Sequence, residues 1–323
     1  MITFIVRRTL WTLLVLFVIT VLVFLIFFAT PGVDPARQMA GRNPSPATIR
    51  IIKHQFGLDR PLPIQYAIMM RKMFIDRDLV SYTNRGLKVI PEVTAAVPVT
   101  LSLVFGATVI WIVGAVVVGV LAAVLRGTIF DPLLMILSLI GISMPVFWLG
   151  EVANLVTQSR FHHWLIFHWI PPNGYTPLTS HPIEWAERLV VPWLVLSVLY
   201  IGFYARVLRS NLLQVQNEDY IRTARAKGLS ERRILLRHAL RTSLITFVSL
   251  FGLDFGVLVG GGTLLAEVVF GLPGVGLLTY QSLTGLDLPV IMTTVVYGAF
   301  FIVLCNALVD VAYAWLDPRI RPA

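Results

Sequence analysis

The chain has 323 residues, of which 57% are apolar and only 13% are charged, and its mean hydropathy is +0.80. Soluble domains carry about twice that share of charged residues, so the composition argues against an ordinary soluble enzyme. Because about 20 apolar residues span a bilayer, this length allows several membrane spans and one modest outer region. The net charge is +9. In so apolar a chain it is expected to mark cytoplasmic loops, not a nucleic-acid-binding surface.

Six apolar stretches are long enough to cross a membrane as helices, which predicts an all-α, multi-pass membrane protein. The first has no small-residue cleavage site after it and is therefore expected to be a retained span. The second is expected to begin near Pro98. In chain order the six stretches are Thr9–Thr30, Val93–Leu125, Pro132–Val156, Leu189–Ala205, Thr242–Ala266 and Leu288–Val309.

The distribution of basic residues predicts the orientation, since short loops rich in Lys and Arg stay in the cytoplasm. The connection between the fourth and fifth stretches holds nine basic residues, whereas Glu267–Asp287 holds none. Both termini are therefore predicted to be cytoplasmic, in the plasma (inner) membrane, with lipid around the spans. The basic residues placed on that side near the other span ends are Arg7, Arg8, Arg126, Arg319 and Arg321.

The basic segment from Pro31 to Glu92 is too long for the charge rule and is predicted to lie outside. Ser45 and Pro46 form a helix start, and Gly57 is placed to end that helix. A second start at Pro63 leads into Ile64–Phe74. We expect two short amphipathic helices between the first two spans.

The connection between the fourth and fifth spans contains the most informative pattern, a short helix, a glycine corner and a second helix. Asn217 is predicted to cap the first helix, and Gly228 suits the left-handed position after it. Tyr220, Ile221 and Ala224 give this helix one apolar face, which we expect to rest on a partner protein. A basic loop lying on anionic lipid headgroups is the alternative.

The spacing of Ala224 and Gly228 between two spans resembles the "EAA" loop of ABC importer permeases, and the stretch RTARAKGL resembles the peptide and nickel branch of that family. The first Glu and first Ala of the general motif are Arg222 and Thr223 here, and Arg241 replaces its terminal Pro. Further segments are similar to the same membrane subunit. They are MITFIVRRTLW, FGLDRPLPIQY, SMPVFWLG, GLPGVG and NALVDVAYAWLDPRIR. The family's Gly-Asp-Leu-Gly turn is replaced by Arg77–Val80.

The resemblance implies a type I importer permease fold and import of di- or oligopeptides, without an enzymatic activity of its own. It implies an N-terminal region 1–97, a core 98–317 with coupling loop 213–241, and a cytoplasmic tail 318–323. It also implies a second homologous permease, two ATPase subunits that bind ATP and Mg²⁺, and an extracytoplasmic substrate-binding protein. The predicted ATPase-coupling residues are Tyr220, Ile221, Arg222, Thr223, Ala224, Arg225, Ala226, Lys227, Gly228 and Leu229.

Ionisable residues inside a span are candidates for function, because an uncompensated charge in the bilayer costs at least a few kcal/mol. Asp254 and Glu151, together with Ser143, are therefore candidates for the translocation path. For Asp254, a structural carboxylate bonded to a neighbouring helix is an equal alternative. Asn306 and Asp310 lie four residues apart on one face and are interpreted as a brace between helices.

Small residues spaced four apart allow close helix packing in membranes. Gly256 with Gly260, and Ala115 with Gly119, have this spacing. The packing partner is either a second permease subunit or, with slightly more weight, another helix of this chain.

Histidines cluster between the third and fourth spans, and the family has a nickel branch. The intervening Trp, Pro and Asn residues provide no spacing that brings the rings together, so an interfacial aromatic belt explains the segment better than a metal site. No metal site is predicted. The histidines are His162, His163, His168 and His181.

Other functional classes have less support. The chain contains no G-x-x-x-x-G-K-[ST] phosphate-binding motif and no recognisable pair of nucleophile and base. A nickel or other small-solute importer is the first alternative to a peptide importer. An ion-coupled secondary transporter would show broken, charged segments in two matching halves, which we do not find.

Overall fold

The computed structural model describes residues 2–28, 34, 36–37, 45–84, 86–160, 162–164 and 167–316, without the side chains of 2–5, 55–56, 159–160, 249 and 310–316. The described residues form helices joined by turns and irregular loops, with one isolated antiparallel bridge, Val80 to Lys88. The helices are α1 (Ile2–Phe28), α2 (Pro46–Phe56), α3 (Leu62–Arg71), α4 (Val89–Val124), α5 (Phe130–Ser143), α6 (Val146–Asn154), α7 (Pro182–Val215), α8 (Asp219–Ala226), α9 (Glu231–Gly262), α10 (Leu264–Phe270), α11 (Val275–Gly285) and α12 (Leu288–Leu316).

Five described helices, α1, α4, α7, α9 and α12, are long and apolar enough to cross a membrane. Two bent pairs, α5 with α6 and α10 with α11, raise that number to seven if each is counted as one span. The all-helical prediction is confirmed.

Several predicted boundaries differ from the structure. Pro98 does not begin α4. The helix already starts at Val89, and Pro98 lies inside it. The predicted third span is bent by 96° between α5 and α6, at Met144 and Pro145. The predicted fifth span ends early, since Gly261 has φ 132° and breaks the helix before Ala266.

The chain divides into two compact units. The first comprises Met1–Thr100, Gly256–Val268 and Pro273–Leu308. The second comprises Leu101–Phe255, Val269–Leu272 and Val309–Ala323.

In the first unit, α2 precedes α3, and α3 packs on the C-terminal part of α1. Ser45 caps α2 by accepting a 3.1 Å bond from the Thr48 amide, and Gly57 ends that helix at φ 68°. Tyr66 of α3 bonds to Thr20 through its hydroxyl at 2.7 Å and packs edge-on against Phe24. The predicted pair of short helices is therefore present.

The turn after α3 has a left-handed residue. Arg77 has φ 52°, a conformation that costs energy for any residue with a Cβ. This is the position where the resembled family has glycine. A few residues on, Asp287 accepts bonds from the Ser81 hydroxyl and the Tyr82 amide, which fixes Ser81–Asn84 to the start of α12. Burial and this carboxylate raise the pKa of Tyr82.

In the second unit, an aromatic core joins α4, α7 and α9. The fully buried Trp111 stacks on Tyr200 with ring centroids 4.5 Å apart, and Tyr204 lies against Phe247. An ion pair adds to the packing of α5 on α7: Arg209 reaches both carboxylate oxygens of Asp131, at 2.7 and 2.6 Å. Such two-pronged geometry suits guanidinium and not ammonium.

Candidate functional site

The connection between α7 and α9 forms the predicted helix, corner and helix. Glu218, in an extended conformation, precedes α8 and occupies its cap position without a side-chain bond. The predicted cap, Asn217, is wrong: its amide donates to the Leu213 carbonyl at 3.1 Å. The reason is that the chain keeps turning after α7, so that α8 starts two residues after Asn217.

Gly228 forms the predicted corner. Its φ is 76°, in the left-handed region, and its amide donates to the Arg225 carbonyl at 2.9 Å. The Leu229 amide then reaches back to the Ala224 carbonyl at 3.3 Å, a C-terminal capping pattern that glycine favours. Ser230 is extended and precedes α9.

The apolar face of α8 rests on the chain itself. Ile221 is completely buried and Ala224 nearly so, in a cluster with Leu208, Leu212 and Ile234. The expectation that a partner protein covers this face is therefore wrong. An eight-residue helix is too short to be stable alone, and this contact with α7 and α9 holds it in place.

The opposite face of α8 is exposed and basic. Arg222, Thr223, Ala226 and Lys227 are exposed, Leu229 is half-buried, and Tyr220 is 43% exposed. The Tyr220 hydroxyl donates to Thr242 at 3.2 Å.

Arg225 ties α8 to α9. Its guanidinium binds the Glu231 carboxylate at 2.8 Å, and this bond raises the pKa of Arg225. The pair spans the Gly228 corner. Because both side chains are largely exposed, it orients the two helices more than it stabilises them.

Asp254, on α9, accepts a hydrogen bond from a residue of α7. The Tyr204 hydroxyl of α7 donates to its carboxylate at 2.6 Å. The geometry agrees with the structural alternative for Asp254, and its place on a translocation path stays a prediction. The other two path candidates, Ser143 and Glu151, are exposed and flank the bend between α5 and α6, where the Ser143 hydroxyl donates to the Leu139 carbonyl at 2.8 Å.

The small residues contact helices of this chain. A Cβ on Gly260 would lie 2.8 Å from the Gly298 carbonyl oxygen, and one on Gly256 would lie 2.8 Å from the Cβ of Cys305. Both contacts are with α12. In the second unit Ala115 is fully buried and a Cβ on Gly119 would lie 2.9 Å from the Ala205 carbonyl oxygen. These distances favour packing within the subunit.

The predicted brace of Asn306 and Asp310 is only partly visible. Asn306 is half-buried on α12, whereas the Asp310 side chain lies outside the described residues. The brace stays a prediction.

The histidine segment shows one close ring pair. His162 and His168 have ring centroids 6.3 Å apart, and a His162 ring nitrogen lies 2.9 Å from the Thr157 carbonyl oxygen. Among the residues that the structure describes, no three His, Cys, Asp or Glu side chains are grouped as metal ligands.

Glu267 is a buried residue that the sequence interpretation missed. Its carboxylate is completely buried and accepts four hydrogen bonds, from two threonine hydroxyls and two backbone amides. It was assigned to a loop because it follows a long apolar run. The glycines before it and the GLPGVG motif after it were the available signal for a broken helix.

Two known family profiles together match nearly the whole chain. Residues 115–322 match the profile described as "Binding-protein-dependent transport system inner membrane component". Residues 1–104 match the N-terminal profile of binding-protein-dependent transport system membrane components.

Curated relatives are similar over nearly their full length. A putative peptide transport system permease protein of Brucella abortus is 36% identical, with 98% of each chain covered. A probable D,D-dipeptide transport system permease, DdpB of Escherichia coli, is 36% identical, with 98% of this chain and 97% of DdpB covered. The oligopeptide transport system permease AppB of Bacillus subtilis is 34% identical, with 99% and 100% covered.

A solved structure shares the fold. A chain from inward-facing conformations of the MetNI methionine ABC transporter superposes with a TM-score of 0.56 at 21% identity. The match covers 71% of this chain and 97% of that chain.

Proposed function

Because the chain belongs to the family of binding-protein-dependent transport system inner membrane components, we propose that it is a membrane subunit of an ATP-driven importer of peptides. The observation that carries the proposal is the set of peptide permease relatives, which are similar from end to end. The proposed substrates are di- and oligopeptides. The chain itself is a permease and not an enzyme.

The proposed topology has six spans, with both termini in the cytoplasm. The spans are α1, α4, the bent α5–α6, α7, α9 and α12. The pair α10–α11 then enters from the outer side and returns. Its lack of Lys and Arg supports that side. The nine basic residues of 206–241, which include the three between α7 and α9, support a cytoplasmic α8.

Coupling is proposed to use the exposed face of α8. Ile221 and Ala224 are buried against α7 and α9. A displacement of α8 by a bound ATPase subunit would therefore also displace those two long helices. The exposed side chains, with Arg222 and Lys227 foremost, would contact an ATPase subunit. The free energy of that contact must differ between the open and closed ATPase, because otherwise ATP hydrolysis could not shift the conformation of the permease.

The remaining partners follow from the family. The complex would contain a second, homologous permease, two ATPase subunits that hold ATP and Mg²⁺, and a binding protein that delivers peptide from outside. Residues 1–97 are proposed as the N-terminal span and outer region, 98–317 as the transport core with coupling loop 213–241, and 318–323 as a cytoplasmic tail. The tail lies outside the described residues.

The translocation path is proposed to include Asp254, Ser143 and Glu151. Asp254 is only partly buried, and its carboxylate has one oxygen that receives the Tyr204 bond. The other oxygen is available to a peptide's ammonium group if α9 lines the path.

Reconstitution with its partners tests the function. The chain would be co-expressed with candidate ATPase, permease and binding-protein subunits, purified, and placed in proteoliposomes with labelled peptides of graded length. We expect ATP-dependent peptide uptake that requires the binding protein and that Ni²⁺ does not compete away.

Other results would point to other functions. Uptake of ⁶³Ni²⁺ in place of peptide would assign the nickel branch. An isolated homo-oligomer that moves solute along an ion gradient without ATP would refute the importer.

A further inference from the structure

The first turn of α11 is held by side chains from other segments. The opening amides of any helix lack partners within it, and Gly274, at the cap position, has no side chain to supply one. The Val275 amide donates to the Thr100 hydroxyl oxygen at 2.9 Å. The Gly276 and Leu277 amides donate to one carboxylate oxygen of Glu267, at 2.7 and 3.0 Å.

The second carboxylate oxygen of Glu267 is also fully engaged. It accepts bonds from the hydroxyls of Thr100 and Thr263, both at 2.8 Å. Two of the four neighbours are backbone amides, which can only donate, so an acceptor such as a carboxylate oxygen suits this position. A negative charge at a helix N-terminus is further stabilised by the helix dipole.

Two glycines leave room for this carboxylate. A Cβ on Gly274 would lie 2.6 Å from the Glu267 carboxyl carbon and 2.7 Å from the Thr100 hydroxyl oxygen. A Cβ on Gly276 would lie 2.5 Å from the Leu264 Cα. The GLPGVG segment therefore has glycine where α11 must approach α10 closely.

From this geometry we propose that Glu267 is a positioning residue of the transport cycle. It holds the bent pair α10–α11 to Thr100 of α4, so that these segments move as one body. Separating them would leave a buried carboxylate and three backbone amides without their present partners, which is costly inside a membrane. The inference rests on the proposed transport function.

Hydrogen exchange on the assembled complex tests the contact without reference to transport. Glu267→Gln keeps the shape but offers one acceptor oxygen in place of two. Thr100→Val removes the hydroxyl, whereas Thr100→Ser keeps it. We expect amide exchange to rise by about tenfold or more at Gly276 and Leu277 in the Gln variant and at Val275 in the Val variant, and to stay near wild type in the Ser variant.

Transport measurements separate positioning from mere stability. In the same complexes we expect the number of peptides moved per ATP hydrolysed to fall several-fold in Glu267→Gln and Thr100→Val, with hydrolysis retained and Thr100→Ser near wild type. Thr279→Val is the matched control, since the Thr279 hydroxyl donates only within α11, to the Val275 carbonyl.

Each result decides the inference. Faster exchange together with a lower ratio supports it. Faster exchange with an unchanged ratio makes Glu267 merely structural, and unchanged exchange shows that the contact does not hold α11. If the complex with Glu267→Gln does not assemble, the comparison of Thr100→Val with Thr100→Ser still tests the inference. A wild-type complex that moves no peptide refutes the proposed function instead, and leaves the exchange result intact.

Discussion

The hydroxyl of Tyr204 on α7 donates a 2.6 Å hydrogen bond to the carboxylate of Asp254 on α9. Tyr204 is completely buried among aromatic rings, and Asp254 is half-buried. We expect Tyr204→Phe and Asp254→Asn each to lower stability by about 0.5–2 kcal/mol, since membrane hydrogen bonds have modest net values. Thermal unfolding of the purified complex measures this.

The double variant tells whether the two residues act together. If the pair is coupled, Tyr204→Phe with Asp254→Asn costs less than the sum of the single changes. Additive losses would contradict the pairing. Peptide uptake by Asp254→Asn tests the path role separately, and uptake lost well beyond the stability change supports it. Asp78→Asn, the same change at an exposed carboxylate outside the proposed path, is the comparison.

The two faces of α8 are expected to respond differently to substitution. Ile221→Ala removes a fully buried side chain and should lower the free energy of unfolding by about 2–4 kcal/mol. Arg222→Glu combined with Lys227→Glu changes only exposed positions and should leave thermal stability unchanged while ATPase co-purification is lost. ATPase binding that survives both charge reversals would rule out this face as the docking surface.

Gly228 is expected to require a residue that tolerates a left-handed backbone. A Cβ there would meet no described atom within 4 Å, so the effect of substitution is conformational and not steric crowding. Gly228→Val should cost about 1–2 kcal/mol and tilt α8, which uncouples ATP hydrolysis from uptake. Gly228→Asn is the matched control and should keep most coupling, because Asn tolerates this conformation. Full uptake by the Val variant would contradict the coupling role.

Arg77→Gly is expected to stabilise the protein. Arg77 has φ 52°, and glycine adopts that conformation without the Cβ penalty, so a gain of about 0.5–1 kcal/mol is expected despite glycine's greater unfolded entropy. The melting temperature should rise. Asp78→Gly, at the adjacent exposed position, is the control and should bring no gain. A lower melting temperature for Arg77→Gly would contradict the expected relief of the left-handed conformation.

Gly260→Ala is expected to disturb the packing of α9 on α12. Its Cβ would lie 2.8 Å from the Gly298 backbone oxygen, which has no flexible end that can move aside. We expect a loss of about 1–3 kcal/mol of stability. Val257→Ala, at an exposed position of α9, is the comparison. If Gly260→Ala instead keeps stability and disrupts only permease pairing, the glycine lies at a subunit interface.

Much of the protein was determined by the sequence alone. Long uninterrupted apolar stretches predicted membrane-spanning helices, because every backbone N–H and C=O group inside a bilayer must form its hydrogen bond within the protein. Ser45, Gly57 and Gly228 were correctly predicted at helix ends. Capping depends on the side chain and backbone conformation of the residue itself and needs no distant contact. The family resemblance was confirmed by the profile matches and by relatives covered end to end.

Tertiary structure decided how those helices are broken and what their polar residues contact. Hydropathy does not distinguish a straight span from a bent pair, so the bends at Pro145 and Gly261 were missed. The apolar face of α8 that contains Ile221 was predicted to contact a partner protein. An amphipathic pattern indicates that a face is buried, but it does not indicate which surface buries it. Glu267 contacts Thr100, 167 residues away in sequence, and no local pattern records such a contact.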